Sequence, residues 1–119
     1  MSDFNATVRP LEEISVIDLK GYLDAHTAPA LEDRFTELIN ESKYKVVVNF
    51  KELDYISSAG LGVFMAYIQT MRSNSGDIKL AEMKPNVYNI FDLLGFPLLY
   101  DILTDEQEAV AKFNGNESN

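Results

Sequence analysis

The chain has no cysteine among its 119 residues, and its only histidine is His26. Without cysteine there is no disulfide framework, no thiolate zinc site and no cysteine nucleophile. One histidine cannot build a metal site with a second, and no spacing to a serine marks a catalytic dyad. His26 therefore reads as a polar residue on the loop before the first helix. Long apolar runs are also missing: none approaches the ~18 residues of a membrane span. The start, Met1-Ser2-Asp3-Phe4-Asn5, has neither the basic region nor the apolar core of a secretory signal. A cytoplasmic location is the expectation. Basic residues are scarce, 10 against 19 acidic ones, for a net charge of −9. Nucleic-acid phosphates and anionic membrane surfaces are repelled by such a surface, so neither is expected as a direct partner. The charge keeps a small domain soluble and suits a basic partner.

Several motifs of catalysis are absent as well. Gly60-Leu61-Gly62 lacks the phosphate-loop pattern, and no third glycine completes a dinucleotide fingerprint. Ser58 lies between Ser57 and Ala59, so it is not a hydrolase nucleophile elbow. The carboxylates are scattered over helix faces and turns, which makes solvated surface their simplest role. No catalytic residue, metal or cofactor is expected, and an enzyme is poorly supported.

What is present is a chain long enough for one domain with one core, expected to be ordered over about residues 4–113 with a polar tail at 114–119. Phe4, Ala6 and Val8 alternate before Pro10, as in an edge strand; Ser15 to Leu23 reads as its antiparallel partner. Thr27 stands at an N-cap, with Pro29 in the first turn of a helix buried through Leu31, Phe35, Leu38 and Ile39. Residues 44–50 form a β-branched run suited to a buried strand. A second helix is expected over 59–73, with Leu61, Phe64, Met65, Ile68 and Met71 on one face. Ile78 to Met83 alternates as a strand, and Pro85 or Asn86 opens a third helix through Leu94 that stops at Gly95. Residues 98–103 read as a last strand, and Thr104 caps a fourth helix through Phe113. Strands alternating with helices predict an α/β domain: a mixed, mostly parallel sheet with an antiparallel N-terminal edge and about four helices.

The organising stretch is the turn Ser57-Ser58-Ala59-Gly60-Leu61-Gly62, between an apolar strand and an apolar helix. A helix starting at Ala59 makes Ser58 its N-cap, a bond whose loss costs about 1 kcal/mol. Two glycines in a first turn each lower helix propensity by roughly 0.8–1 kcal/mol relative to alanine. Close approach of a neighbouring backbone or of a partner explains them. A phosphoryl group on Ser58 would meet free N–H donors and the positive end of the helix dipole, while adding about −1.5 to −2 charges. From the residues alone, a capping role stands ahead of a switch. Tyr55, Val63 and Tyr67 are candidates for an apolar rim beside the turn.

Three stretches carry a family resemblance: Leu23-Asp24-Ala25-His26-Thr27-Ala28-Pro29-Ala30-Leu31, Val46-Val47-Val48-Asn49-Phe50 and Ile56-Ser57-Ser58-Ala59-Gly60-Leu61-Gly62-Val63. Together they resemble the STAS domain of bacterial anti-anti-sigma factors, over nearly the whole chain. The resemblance implies partner switching. The unmodified protein binds an anti-sigma factor that is also a serine kinase of the histidine-kinase-like ATPase type, and a sigma factor is released. Phosphorylation by that kinase ends the complex, and a metal-dependent PP2C-type serine phosphatase restores the binding form. Aligned through Gly60-Leu61-Gly62, the family's phosphoacceptor is Ser58, with Ser57 a minor alternative. Asp24, Ser57, Ala59, Gly60, Leu61 and Gly62 are the implied partner-binding residues. Two positions depart from the pattern: Ser57 and Asn49 each stand where the family commonly has aspartate. The alternative is a non-switching STAS interaction module, transporter-associated or a scaffold subunit, in which Ser58 only caps. An enzyme or small-ligand sensor is the third class.

Overall fold

Val46, Val47, Val48, Asn49 and Phe50 are all buried, although successive side chains of a strand point to opposite faces. Such a strand needs cover on both sides. The computed structural model, which describes residues 4–115, supplies it. These residues lie in β3 (Lys45–Ile56), at the centre of a five-stranded sheet. In spatial order the strands are β1 (Asn5–Leu11), β2 (Ile14–Leu23), β3, β4 (Asp77–Ala81) and β5 (Ile102–Leu103). β1 is antiparallel to β2, and the other neighbours pair in parallel.

Parallel neighbours need crossovers, and three helices provide them: α1 (Ala28–Asn40), α2 (Ser58–Ser73) and α3 (Pro85–Leu93). Right-handed connections between consecutive strands place all three on one face. There Val46, Val48 and Phe50 meet Leu31, Phe35, Phe64 and Phe91 in the main core. Phe50 lies 5.7 Å from Phe64 and 5.5 Å from Phe91 between ring centroids. Val47 points the other way, into a smaller cluster with Val16, Ala81 and Ala109 of α4 (Glu106–Phe113). The mixed, mostly parallel sheet and four helices agree with the sequence expectation.

Four local expectations are corrected. β3 does not stop at Phe50: β2 pairs with it as far as Leu23 against Ile56, holding polar Lys51, Glu52 and Asp54 in the strand. Residues 98–103 are not one strand. Gly95, at φ 78°, admits a 3-10 turn over Phe96–Leu98, and only Ile102 and Leu103 pair with β4. Asp105, not Thr104, caps α4, its Oδ1 accepting from the Glu108 N–H at 2.9 Å. Met65, expected on the buried face of α2, is exposed. The outer part of the expected tail, residues 116–119, lies outside the described residues, as do residues 1–3.

Candidate functional site

The long β2–β3 pairing sets the site. Leu23 and Ile56 are register partners, and the Ser57 N–H donates to the Leu23 carbonyl at 2.9 Å. Asp24 and Ser57, remote in sequence, therefore leave adjacent parallel strands side by side at their carboxyl ends. In open α/β sheets that is the edge where loops collect function.

Ser57 keeps extended backbone (φ −101°, ψ 174°), and α2 begins at Ser58. The N-cap is therefore Ser57 and not Ser58: β3 runs on to Ile56, Ser57 is still extended, and helical backbone begins one position earlier than expected. Its Oγ accepts from the Gly60 N–H at 3.4 Å, and its carbonyl accepts from the Leu61 N–H at 3.0 Å. Ser58 occupies the first helical position, exposed, with no side-chain hydrogen bond among the described residues. The N–H groups of Ser58 and Ala59 also have no acceptor there, and no acidic residue sits in the first turn. A reachable hydroxyl thus stands beside free donors at the positive end of a helix.

The two glycines differ. A Cβ on Gly60 would sit 2.8 Å from Leu23 Cγ and 2.9 Å from Ile56 Cγ1, so this glycine lets α2 press on the ends of β2 and β3. Gly62 has open space where its side chain would be, and is exposed. Leu61 is buried. The outward surface of the turn is Ser58, Ala59 and Gly62, whereas Gly60 and Leu61 hold its shape.

Asp24 organises the neighbouring loop. One carboxylate oxygen, Oδ1, accepts from the N–H groups of His26 at 2.9 Å and Thr27 at 3.2 Å. Thr27 occupies the N-cap position of α1 without capping it; its hydroxyl donates to the Tyr22 carbonyl at 2.8 Å and accepts from the Asp24 N–H at 2.9 Å. The expected apolar rim differs too. Val63 is buried and Tyr67 stacks on Phe35, while Tyr55 is exposed and pairs across the strands with Tyr22, rings 5.7 Å apart. Periodicity alone gave no signal for Tyr22, because its partner is set by the register of a strand extension.

On the other sheet face lies a polar cleft of about 680 Å³. Arg9 reaches Asp18 at 2.6 Å and Glu106 at 2.7 Å, and Asn49 Nδ2 donates to Glu106 Oε1 at 2.8 Å. The Arg9 hydrogen bond, helped by Asn49 and opposed by burial, holds the Glu106 carboxyl below its ordinary value. The same contacts raise the Arg9 pKa, Asp18 contributing most. Asn49 also accepts from the Lys51 N–H at 2.8 Å. An aspartate here would face Glu106 with like charge, so the amide suits this neighbour. No group of three or more His, Asp or Glu among the described residues is placed to hold a metal ion. No described helix is long and apolar enough to cross a membrane.

The model of the STAS domain matches residues 5–109. The chain belongs to the STAS domain family. BtrV of Bordetella bronchiseptica, by name a candidate anti-sigma factor antagonist, is 29% identical over 107 residues, spanning 90% of this chain and 92% of its own. The anti-sigma-B factor antagonist of Bacillus subtilis is 24% identical over 108 residues, 91% of this chain and 98% of its own. In fold, this STAS domain matches the anti-sigma factor antagonist SpoIIAA in its unphosphorylated form with a TM-score of 0.81 at 21% identity, covering 93% and 97% of the two chains. Against the phosphorylated form of SpoIIAA the TM-score is 0.69 at 22% identity, covering 92% and 97%.

Proposed function

We propose that this STAS domain is an anti-sigma factor antagonist switched by phosphorylation of Ser58. One observation carries the reading: Ser58 is exposed and unbonded at the first position of α2, while Ser57 does the capping. The residue that departs from the family pattern thus takes a role in which serine and aspartate are near-equivalent, and the acceptor hydroxyl is left free.

In the unmodified state the neutral surface of Ser58, Ala59 and Gly62, with Asp24 beside it, docks on an anti-sigma factor that is also a histidine-kinase-like ATPase. Docking releases the sigma factor. The kinase transfers the γ-phosphoryl group of ATP to Ser58 Oγ. A P–O bond to the serine forms, the bond to ADP breaks, and the hydroxyl proton passes to a base on the kinase. The phosphate is tolerated by the fold because the Ser58 and Ala59 N–H groups and the helix dipole favour an anion. For the docked partner it is bulk and about −1.5 to −2 charges in the middle of the contact, and the complex separates. A PP2C-type phosphatase hydrolyses the ester and restores the hydroxyl. All of this belongs to the cytoplasm, with no direct contact to nucleic acid or membrane.

The test is labelling with ATP and each histidine-kinase-like ATPase of the source genome, read by mass spectrometry. One added phosphate on wild type, none on Ser58→Ala, and loss of kinase binding in Ser58→Glu are expected. A Ser58→Glu variant that binds as wild type does, with no labelling by any of the kinases, would return the domain to the non-switching class.

A further inference from the structure

Leu93, Leu94, Leu98 and Leu99 are 84%, 61%, 89% and 64% exposed. They fall within seven residues, where the end of α3 meets the 3-10 turn through left-handed Gly95. Single exposed leucines need no explanation, but four in one hairpin form a patch. It adjoins the far end of α2, since Arg72 donates to the Leu99 carbonyl at 2.5 Å. From Ser58 to Arg72 the helix rises about 20 Å, so the patch is remote from the serine turn.

The charge around the patch is unlike that of the rest of the chain. Arg72 pairs with Asp77 at 2.8 Å. Lys79 bridges Asp77 at 2.9 Å and Asp101 at 2.7 Å, and Lys112 lies 3.7 Å from Asp101. Two carboxylates, Asp77 and Asp101, are thus paired with three cations here, although the chain carries −9. The carboxylates beside this apolar end are therefore neutralised, although the chain as a whole is acidic.

We propose that the leucine patch is a contact between two copies of this chain. Local neutrality lets like faces approach, and the four side chains offer on the order of 500 Å² per copy, at the upper end for a monomer's surface patch. Paired, two such patches bury about 1,000 Å², the lower bound of a specific interface, so the dimer is weak and reversible. A two-fold contact there leaves both serine turns free at the outer ends. It does not depend on Ser58 being a phosphoacceptor.

Absence of cysteine makes the test direct. In Leu98→Cys every chain carries one thiol near the axis, and mild oxidation joins two thiols into one disulfide. Rapid cross-linking of Leu98→Cys is expected, with little in Met65→Cys, whose thiol would also be exposed but lies on α2. By sedimentation equilibrium between about 10 µM and about 1 mM, wild-type mass should climb towards two chains, while the Leu93→Ser, Leu98→Ser double variant stays at one. An unchanged circular dichroism spectrum checks that this variant is folded. Wild type monomeric across the range, a dimer that survives both serines, or equal cross-linking at both cysteines would overturn the proposal. So would flotation of wild type, but not the double variant, with phosphatidylcholine vesicles, which would assign the face to lipid.

Discussion

The serine turn and the Arg9–Glu106 cluster, one built of small neutral residues and the other of charged ones, treat their polar groups in opposite ways. In the cluster Glu106 takes Arg9 and Asn49 on its carboxylate, while its own N–H donates to Glu82 at 2.9 Å. At the turn, the Ser58 hydroxyl and the Ser58 and Ala59 N–H groups have no intramolecular partner among the described residues. A satisfied network ties β1, β3 and α4 together; an unsatisfied exposed edge is what a partner or a phosphate can use.

If the turn's shape depends on Gly60, a side chain there should break the contrast most strongly. Gly60→Val should destabilise by about 1–3 kcal/mol through collision with Leu23 and Ile56, read as a lowered midpoint in urea. Gly62→Ala is the matched control, with no neighbour to strike. It should stabilise the helix by up to about 0.8–1 kcal/mol, and an unchanged or lowered midpoint would contradict the open surface assigned to it. Ser57→Ala removes the cap, whose bond is long at 3.4 Å, so the expected loss is about 0.5 kcal/mol, at the low end for caps. A larger fall would mean that Ser57 holds more than the cap.

The smallest effect sharpens the other side. The Glu106 carboxyl is depressed in the folded state, so its contribution is present above the ordinary value of 4.5 and lost as pH falls through the folded value. Glu106→Gln should therefore flatten the acid limb of the stability profile below pH 4.5 while leaving neutral-pH folding intact. Equal acid limbs for variant and wild type would remove Glu106 from the network's pH dependence.

Periodicity made much of the framework legible. The buried run Val46 to Phe50, the alternation of strand and helix, and the stripe Leu61, Phe64, Met71 on α2 follow from side-chain spacing. The serine turn was legible because small and hydroxylated residues interrupt two apolar segments. Which serine caps was not. That depended on Lys51, Glu52 and Asp54 remaining in a strand, and polar residues do so only because β2 supplies the ladder. Leu98 is the converse case: it reads as the start of a strand but ends an exposed 3-10 turn, and nothing local reports that. The Asn49–Glu106 bond spans 57 positions, beyond any local pattern.

By itself, then, the sequence determined the elements, their order, the acidic surface and the turn on which function was to be sought. These depend on interactions between residues a few positions apart, which spacing and composition encode. Only tertiary structure decided that Ser57 caps and Ser58 is free, that Gly60 faces inward and Gly62 outward, and that Asp24 stands beside the turn. Each of those depends on the register of β2 against β3, a pairing between segments separated by a whole helix.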